Sequence, residues 1–447
     1  MKPLAAFYRS LFFNLRLYLA LGGVILLFIL AYFVPVLLQV AVIAVLALLI
    51  FLLLDFLQLY LPRRAMQVTR GLAERFSNGD QNNISLSVRN NYRFAVWIEI
   101  TDELPYQFQQ RDFLLKGFLQ QDEEKVFDYK LRPVERGEYA FGSTHVFVKG
   151  MIGLVKRCFT FEHPRTVKVY PSFVQLRQYE LMSFKHQLNE IGVHRKRVLG
   201  HSMEFDHIKE YTVGDDVRTL NWKATARRGN LMVNNFMEER SQQVYCVIDK
   251  GRNMKMPFNG LTLLDYAVNS TLVFSNVALH KGDKAGLVTF TGQQTEILPA
   301  SNKKVQLNKI LDLLYHQTTQ WMESDYERLG VQLRTALTQR SLLILFTNFE
   351  SASGMQRQLP YLRQLAKYHL LLVVFFENTE LKKLNERKAE EVEDIYIQVI
   401  AQKFAHEKKQ IVRELSHHGI MSLLTTPEQL TVDVVNKYLE LKARMQA

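Results

Sequence analysis

The sequence predicts a membrane-anchored multidomain chain: a two-helix transmembrane hairpin, a β-sandwich domain, and a C-terminal doubly wound, Rossmann-like α/β domain. Three observations carry this. Residues 17–54 contain no charged side chain. From about 65 to 163 the apolar residues recur with a period of two, and from about 243 onward nearly continuous apolar runs alternate with helix-period segments. The 447 residues allow two or three domains, and 48% hydrophobic with 22% charged residues is a globular rather than a disordered balance.

A single helix over 17–54 would overshoot a hydrocarbon core of about 30 Å, but Pro35 divides the run into two stretches near the roughly 20 residues a span needs. A cleaved signal peptide is the competing reading, set aside because the run is far longer than an h-region and lacks a small-x-small cleavage site. Lys2, Arg9 and Arg16 precede the first span, Arg63, Arg64 and Arg70 follow the second, and the connection is uncharged. The positive-inside rule then puts both ends in the cytoplasm. Asp55 falls at the membrane edge, within reach of water, with an ion-pathway role as the alternative.

Between 65 and 163, the stretches at 84–88, 96–100, 126–131, 145–148 and 159–161 read as short strands separated by turn signals, hence a small antiparallel sandwich of immunoglobulin size. No site chemistry stands out there. After Pro171 the chain becomes basic and helical in pattern. Strands are then expected at 243–249, 284–290, 294–299, 341–347, 369–376 and 419–426, with helices between them and a last helix from about Pro427. Thr262 and Asp265 can cap the first of these helices and Gly282 can end it. The domain boundaries read 1–64, 65–171, 172–240 and 241–447.

In such a sheet the functional crevice lies beyond the carboxyl ends of the strands. That singles out "DKGRN" after 243–249 and "TNFES" after 341–347. The other unusual stretch is "GDDVRTLNWKATARRGNLMVNNF" at 214–236, dense in carboxylates, cations and one Trp. A brace is the expected role, with Trp222 as a large apolar anchor and Asp215 or Glu204 paired with Arg218 or Arg227. A partner-docking surface is the second reading. Catalysis through Asp215 or Asp216 lacks a nucleophile or a suitably spaced histidine.

Together with "MEFDHIKEY" and "VKVYPSF", this stretch resembles the bacterial membrane-protein family DUF58, through Gly214, Asp215, Arg218, Trp222, Ala226 and Arg227 in order. The resemblance, read over nearly the whole chain, implies a membrane-tethered interaction protein with a von Willebrand factor A-like domain, often associated with a MoxR-type AAA+ ATPase. Such domains commonly carry a Mg²⁺ adhesion site built from Asp-x-Ser-x-Ser, a threonine and a distal aspartate. Here Asp249 matches the first position, Gly251 and Asn253 replace the serines, Ser324 is the nearest candidate for the threonine, and Asn348 stands at the distal aspartate. With one carboxylate left, no cofactor is expected and Mg²⁺ is the alternative.

Cys158 and Cys246 sit in apolar surroundings outside any metal spacing and read as reduced core thiols. No P-loop, GxGxxG, HExxH or GxSxG pattern occurs. The net charge of +12 and the basic run at 194–201 fit anionic lipid or an acidic partner better than nucleic acid, because no aromatic residues interleave the cations. A non-enzymatic membrane adaptor that contacts an AAA+ ATPase or other envelope proteins is therefore expected. The alternatives are a metal-dependent enzyme at the Asp249 crevice and an envelope scaffold.

Overall fold

A computed structural model describes residues 8, 10–62, 65–172, 203–212, 215–238, 241–379 and 392–446, with backbone alone at 203–207, 235–238, 392–393 and 445–446. It divides into two compact units, Met1–Tyr170 and Pro171–Ala447.

In the first unit a short strand, β1 (Leu11–Phe13), leads into α1 (Leu15–Phe33) and α2 (Val36–Tyr60), with Pro35 between the helices. Both are long and apolar enough to cross a membrane, and only 11% and 6% of their most apolar windows are buried. Their apolar surfaces thus face outward, as those of a core helix would not.

The strands that follow are β2 (Met66–Gly71), β3 (Arg75–Ser77), β4 (Asn82–Asn90), β5 (Val96–Asp102), β6 (Leu115–Leu119), β7 (Glu124–Leu131), β8 (Gly137–Phe141), β9 (Thr144–Lys149), β10 (Val155–Phe161) and β11 (Arg165–Tyr170). They form sheets ordered β1-β10-β9-β5-β6, β2-β4-β7 and β3-β11-β8. The pairing departs from the expected all-antiparallel pattern at β3 and β11, which run parallel. Alternating residues such as Ile84, Leu86 and Val88 on β4 and Val96, Ile98 and Ile100 on β5 fill one core.

Leu17 and Leu59 of the helices belong to that same core. Asp55 is fully buried, and its Oδ2 accepts the backbone N–H groups of Leu154 and Val155 at 2.8 Å each. The Tyr92 hydroxyl donates to the Leu59 carbonyl at 2.8 Å, and Arg157 donates to the Leu59 and Pro62 carbonyls. Asp55 is thus a bolt between helix and sheet, away from the water expected at a membrane edge. Arg70 is likewise not a free flanking charge. It lies on β2 with its guanidinium buried against Asp102, and it donates to the Gly142 carbonyl at 3.0 Å and Thr144 Oγ1 at 2.8 Å. Lys2, Arg9, Arg63 and Arg64 lie outside the described residues.

The second unit begins, as described, with a hairpin of β12 (Met203–Glu210) and β13 (Met232–Glu238), joined through a tip that carries α3 (Trp222–Arg228). The helical pattern expected after Pro171 is therefore corrected to a strand at 203–210, where β-sheet pairing outweighs the local periodicity. Residues 173–202 lie outside the described residues.

The main sheet takes β14 (Gln243–Asp249), β17 (Lys284–Phe290), β18 (Thr295–Ser301), β19 (Leu342–Phe346), β20 (Leu370–Phe376) and β21 (Met421–Thr425), in the order β18-β17-β14-β19-β20-β21. All neighbours are parallel except the edge strand β18, and a small ribbon of β15 (Pro257–Phe258) and β16 (Leu261–Thr262) lies apart. One face packs on α4 (Leu263–His280), α5 (Gln306–Tyr315) and α9 (Leu430–Gln446). The other packs on α6 (Tyr326–Ala336), α7 (Ala352–Tyr368) and α8 (Val392–His417). Because both faces are covered, Val244, Cys246 and Ile248 of β14 point to one core and Tyr245 and Val247 to the other.

Thr262 and Asp265 form the expected capping box, and Gly282 follows the helix end at φ 81°. Ser351 caps α7 at Gly354 N. The start of the last helix is corrected: α9 begins at Leu430, leaving Pro427 in the preceding turn.

Candidate functional site

β14 and β19 are adjacent, yet the chain leaves them toward opposite sides of the sheet, so their carboxyl ends flank a topological switch point. Asp249 ends β14 there and Thr347 follows β19. The loop before α6 brings Ser324 to the same place.

Asp249 is buried and engaged by four donors. Oδ1 accepts the Gly251 N–H at 2.8 Å and the Ser324 hydroxyl; Oδ2 accepts the Thr347 hydroxyl at 2.7 Å and the Tyr326 hydroxyl at 3.1 Å. Burial pushes the Asp249 carboxyl up, and these four hydrogen bonds pull against it. Burial likewise raises the Tyr326 phenol, with the Asp249 charge adding to it.

Asn253 and Asn348 make a reciprocal pair: each side-chain amide donates to the other's backbone carbonyl, at 3.3 and 3.4 Å. Lys408, from α8, then donates to Asn348 Oδ1 at 2.8 Å and to the Phe349 carbonyl. Burial pushes its ammonium down to about 8.

All four sequence-selected residues, Asp249, Asn253, Ser324 and Asn348, therefore line one crevice, and Arg252 and Arg357 edge it. They do not fit Mg²⁺. A hard divalent cation wants several oxygens with negative charge, whereas Asp249, the one carboxylate among these four, is engaged by protein donors, and Glu323 on the crevice edge pairs with Arg252. The Asn348 oxygen already accepts from an ammonium. A serine at Gly251 is also disfavoured, since a Cβ there would collide with Ser324 Oγ. Among the described residues no group of three or more His, Cys, Asp or Glu side chains is placed to hold a metal. Thr347 opens the selected "TNFES" stretch. Sequence reasoning missed Tyr326, two residues beyond Ser324, and Lys408, which nothing local distinguishes within a charged helix.

The hairpin tip has a different construction. Asp215 takes the Lys209 ammonium at 2.7 Å and the Thr212 N–H and hydroxyl at 3.0 and 2.8 Å, which together hold it at about 2. Asp216 caps a 3₁₀ turn by accepting the Arg218 N–H at 3.0 Å. Asn221 accepts the Ala224 N–H at 3.0 Å and donates to Asn234 Oδ1 at 2.8 Å. Thr225 Oγ1 accepts the Met232 N–H at 3.0 Å. Gly229, at φ 78°, ends α3 in the left-handed conformation that favours glycine.

The expected brace is corrected here. Trp222 is 69% exposed rather than buried, and Arg218 and Arg227 are exposed with no ion pair among the described residues. Asp215 pairs with Lys209 instead. The tip is held by short side chains reaching its backbone, which leaves the long ones to solvent. Gly214 and the Glu204 side chain lie outside the described residues.

Residues 207–406 match the family described as "Protein of unknown function DUF58", a narrower span than the resemblance suggests. "Uncharacterized protein YeaD" of Bacillus subtilis (strain 168) is 26% identical over 245 residues, 53% of this chain and 59% of that protein, so the match covers less than two thirds of the relative. Among solved structures, the SpRpn10 VWA domain is similar at 11% identity over 43% of this chain and 94% of its own, with TM-score 0.27. The conserved hypothetical protein BatB from Bacteroides thetaiotaomicron is similar at 11% identity over 46% and 100%, with TM-score 0.29.

Proposed function

We propose, from the premise that residues 207–406 of this chain belong to the DUF58 family, that the protein is a non-enzymatic, membrane-tethered adaptor. Its crevice at the Asp249 end of the sheet docks a protein partner without a metal ion, and the partner is an AAA+ ATPase of the MoxR type. The observation that carries this is the saturation of Asp249 by four protein donors. A general base needs a free lone pair aimed at a substrate proton, and a metal ligand needs one aimed at the ion. A carboxylate so engaged instead rigidifies the loops around it, which favours a recognition surface.

The two outward-facing apolar helices support the tether. In this reading they form a hairpin in a bacterial cytoplasmic membrane with the second unit in the cytoplasm, and Arg16 at the start of α1 fits that orientation.

The test is photo-crosslinking of the full chain in native membranes, with benzoyl-phenylalanine at Arg357 on the crevice edge and, as control, at the exposed Tyr106 of the first unit. The expected adduct is an AAA+ ATPase from Arg357 alone. No ATPase adduct at Arg357, or equal yields at both positions, overturns the reading.

A further inference from the structure

The tip of the β12–β13 hairpin keeps its acids to itself and leaves its cations and apolar side chains outside. Asp215 is engaged by Lys209 and Thr212, Asp216 caps a turn, and Glu210 accepts the Asn230 amide at 3.4 Å. Arg218, Lys223, Arg227 and Arg228 are all exposed and make no ion pair among the described residues. Lys223 and Arg227, four apart on α3, share a helix face. Among these cations stand Val217 at 63%, Trp222 at 69% and Leu231 at 48% exposed. Nothing in the tip's own hydrogen bonding requires them, since Asn221 and Thr225 hold the turn.

We propose that this tip is a membrane-contacting finger that docks on an anionic bilayer surface, with Trp222 at headgroup depth and the four cations on lipid phosphates. Trp is the side chain most suited to the interface between water and acyl chains. Arginine and lysine beside it add an attraction that scales with the anionic lipid fraction and keep their stems along the apolar boundary. Charge complementarity selects this occupant. Four exposed cations with no ion pair among the described residues need a surface with many anions, and the chain's own span keeps such a surface at high effective concentration, so weak contacts suffice. The inference rests on the membrane-tether reading.

The test uses the full chain with Trp97→Phe and Trp321→Phe, which leaves Trp222 as the sole indole of the three. It is reconstituted into vesicles of phosphatidylcholine, with or without phosphatidylglycerol, containing a headgroup-proximal doxyl lipid. Flotation after an alkaline carbonate wash reports the tether separately. The expected result is flotation with both vesicle types, together with a blue-shifted, doxyl-quenched Trp222 only with phosphatidylglycerol. Arg227→Glu with Arg228→Glu should return quenching to the phosphatidylcholine level while flotation persists. Water-like Trp222 emission in both vesicle types with flotation intact, the result expected if the tip serves an acidic protein, overturns the finger alone. Quenching unaffected by the charge reversal also overturns it. Loss of flotation with both vesicle types overturns the tether, and the finger with it.

Discussion

Lys408 Nζ stands 2.8 Å from Asn348 Oδ1, so an internal ammonium answers the position where an adhesion-site carboxylate would hold a metal. The arrangement predicts a pH dependence. The folded-state pKa of Lys408 falls to about 8 through burial, below the ordinary 10.5 of an unfolded chain. Below pH 8 both states carry the proton and the cost of the buried charge is constant. Between about pH 8 and 10.5 the unfolded state binds the proton that the folded state has released, so this residue's contribution to stability rises with pH. Thermal unfolding in detergent should show the native chain gaining up to about 3 kcal/mol over Lys408→Met across that window. A difference that stays flat with pH would contradict the placement of Lys408.

Trp222→Ala should leave stability within about 0.5 kcal/mol, because the indole is largely solvent-exposed. Asn221→Ala should cost about 1–2 kcal/mol by removing the cap on Ala224. Unfolding midpoints of the two variants check this, and a larger loss for Trp222→Ala would restore the brace.

In the first unit, Asp102 holds Arg70 and also accepts from the Tyr129 and Thr144 hydroxyls, all out of solvent. Asp102→Ala strands the guanidinium and should cost about 3–5 kcal/mol, whereas Arg70→Met combined with Asp102→Leu should recover most of it. Unfolding of the three chains checks the order; a double variant as unstable as the single one would show that the pair contributes more than mutual compensation.

Burial pushes the Cys246 thiol up to about 12 and also raises Cys158, which is only half-buried. Maleimide should therefore modify Cys158 slowly in the native protein and Cys246 only after unfolding, as read by mass.

Much of this was legible in the sequence because it depends on composition over many residues. Pro35 splits the apolar run where helix-breaking and span length place it, and the buried strands of the second unit appear as runs such as Leu370–Phe376. Asp249 stands at a strand end as the strand-end rule requires, and Ser324, singled out by the family resemblance, meets it there. What stayed hidden depends on long-range partners. β1 becomes a strand only because β10 offers an edge far along the chain, pairing Leu11 with Arg157, Phe12 with Lys156 and Phe13 with Val155. The exposure of Trp222 follows from hydrogen bonds of Asn221 and Thr225 that no hydropathy pattern records.

The most direct test of the central claim, that the crevice is completed by its own side chains rather than by an ion, is a Mn²⁺ titration of the full-length chain followed by electron paramagnetic resonance, beside Asp249→Ala. The account predicts that the signal remains that of the free aqua ion in both. Stoichiometric binding by the native chain that disappears in Asp249→Ala would contradict it.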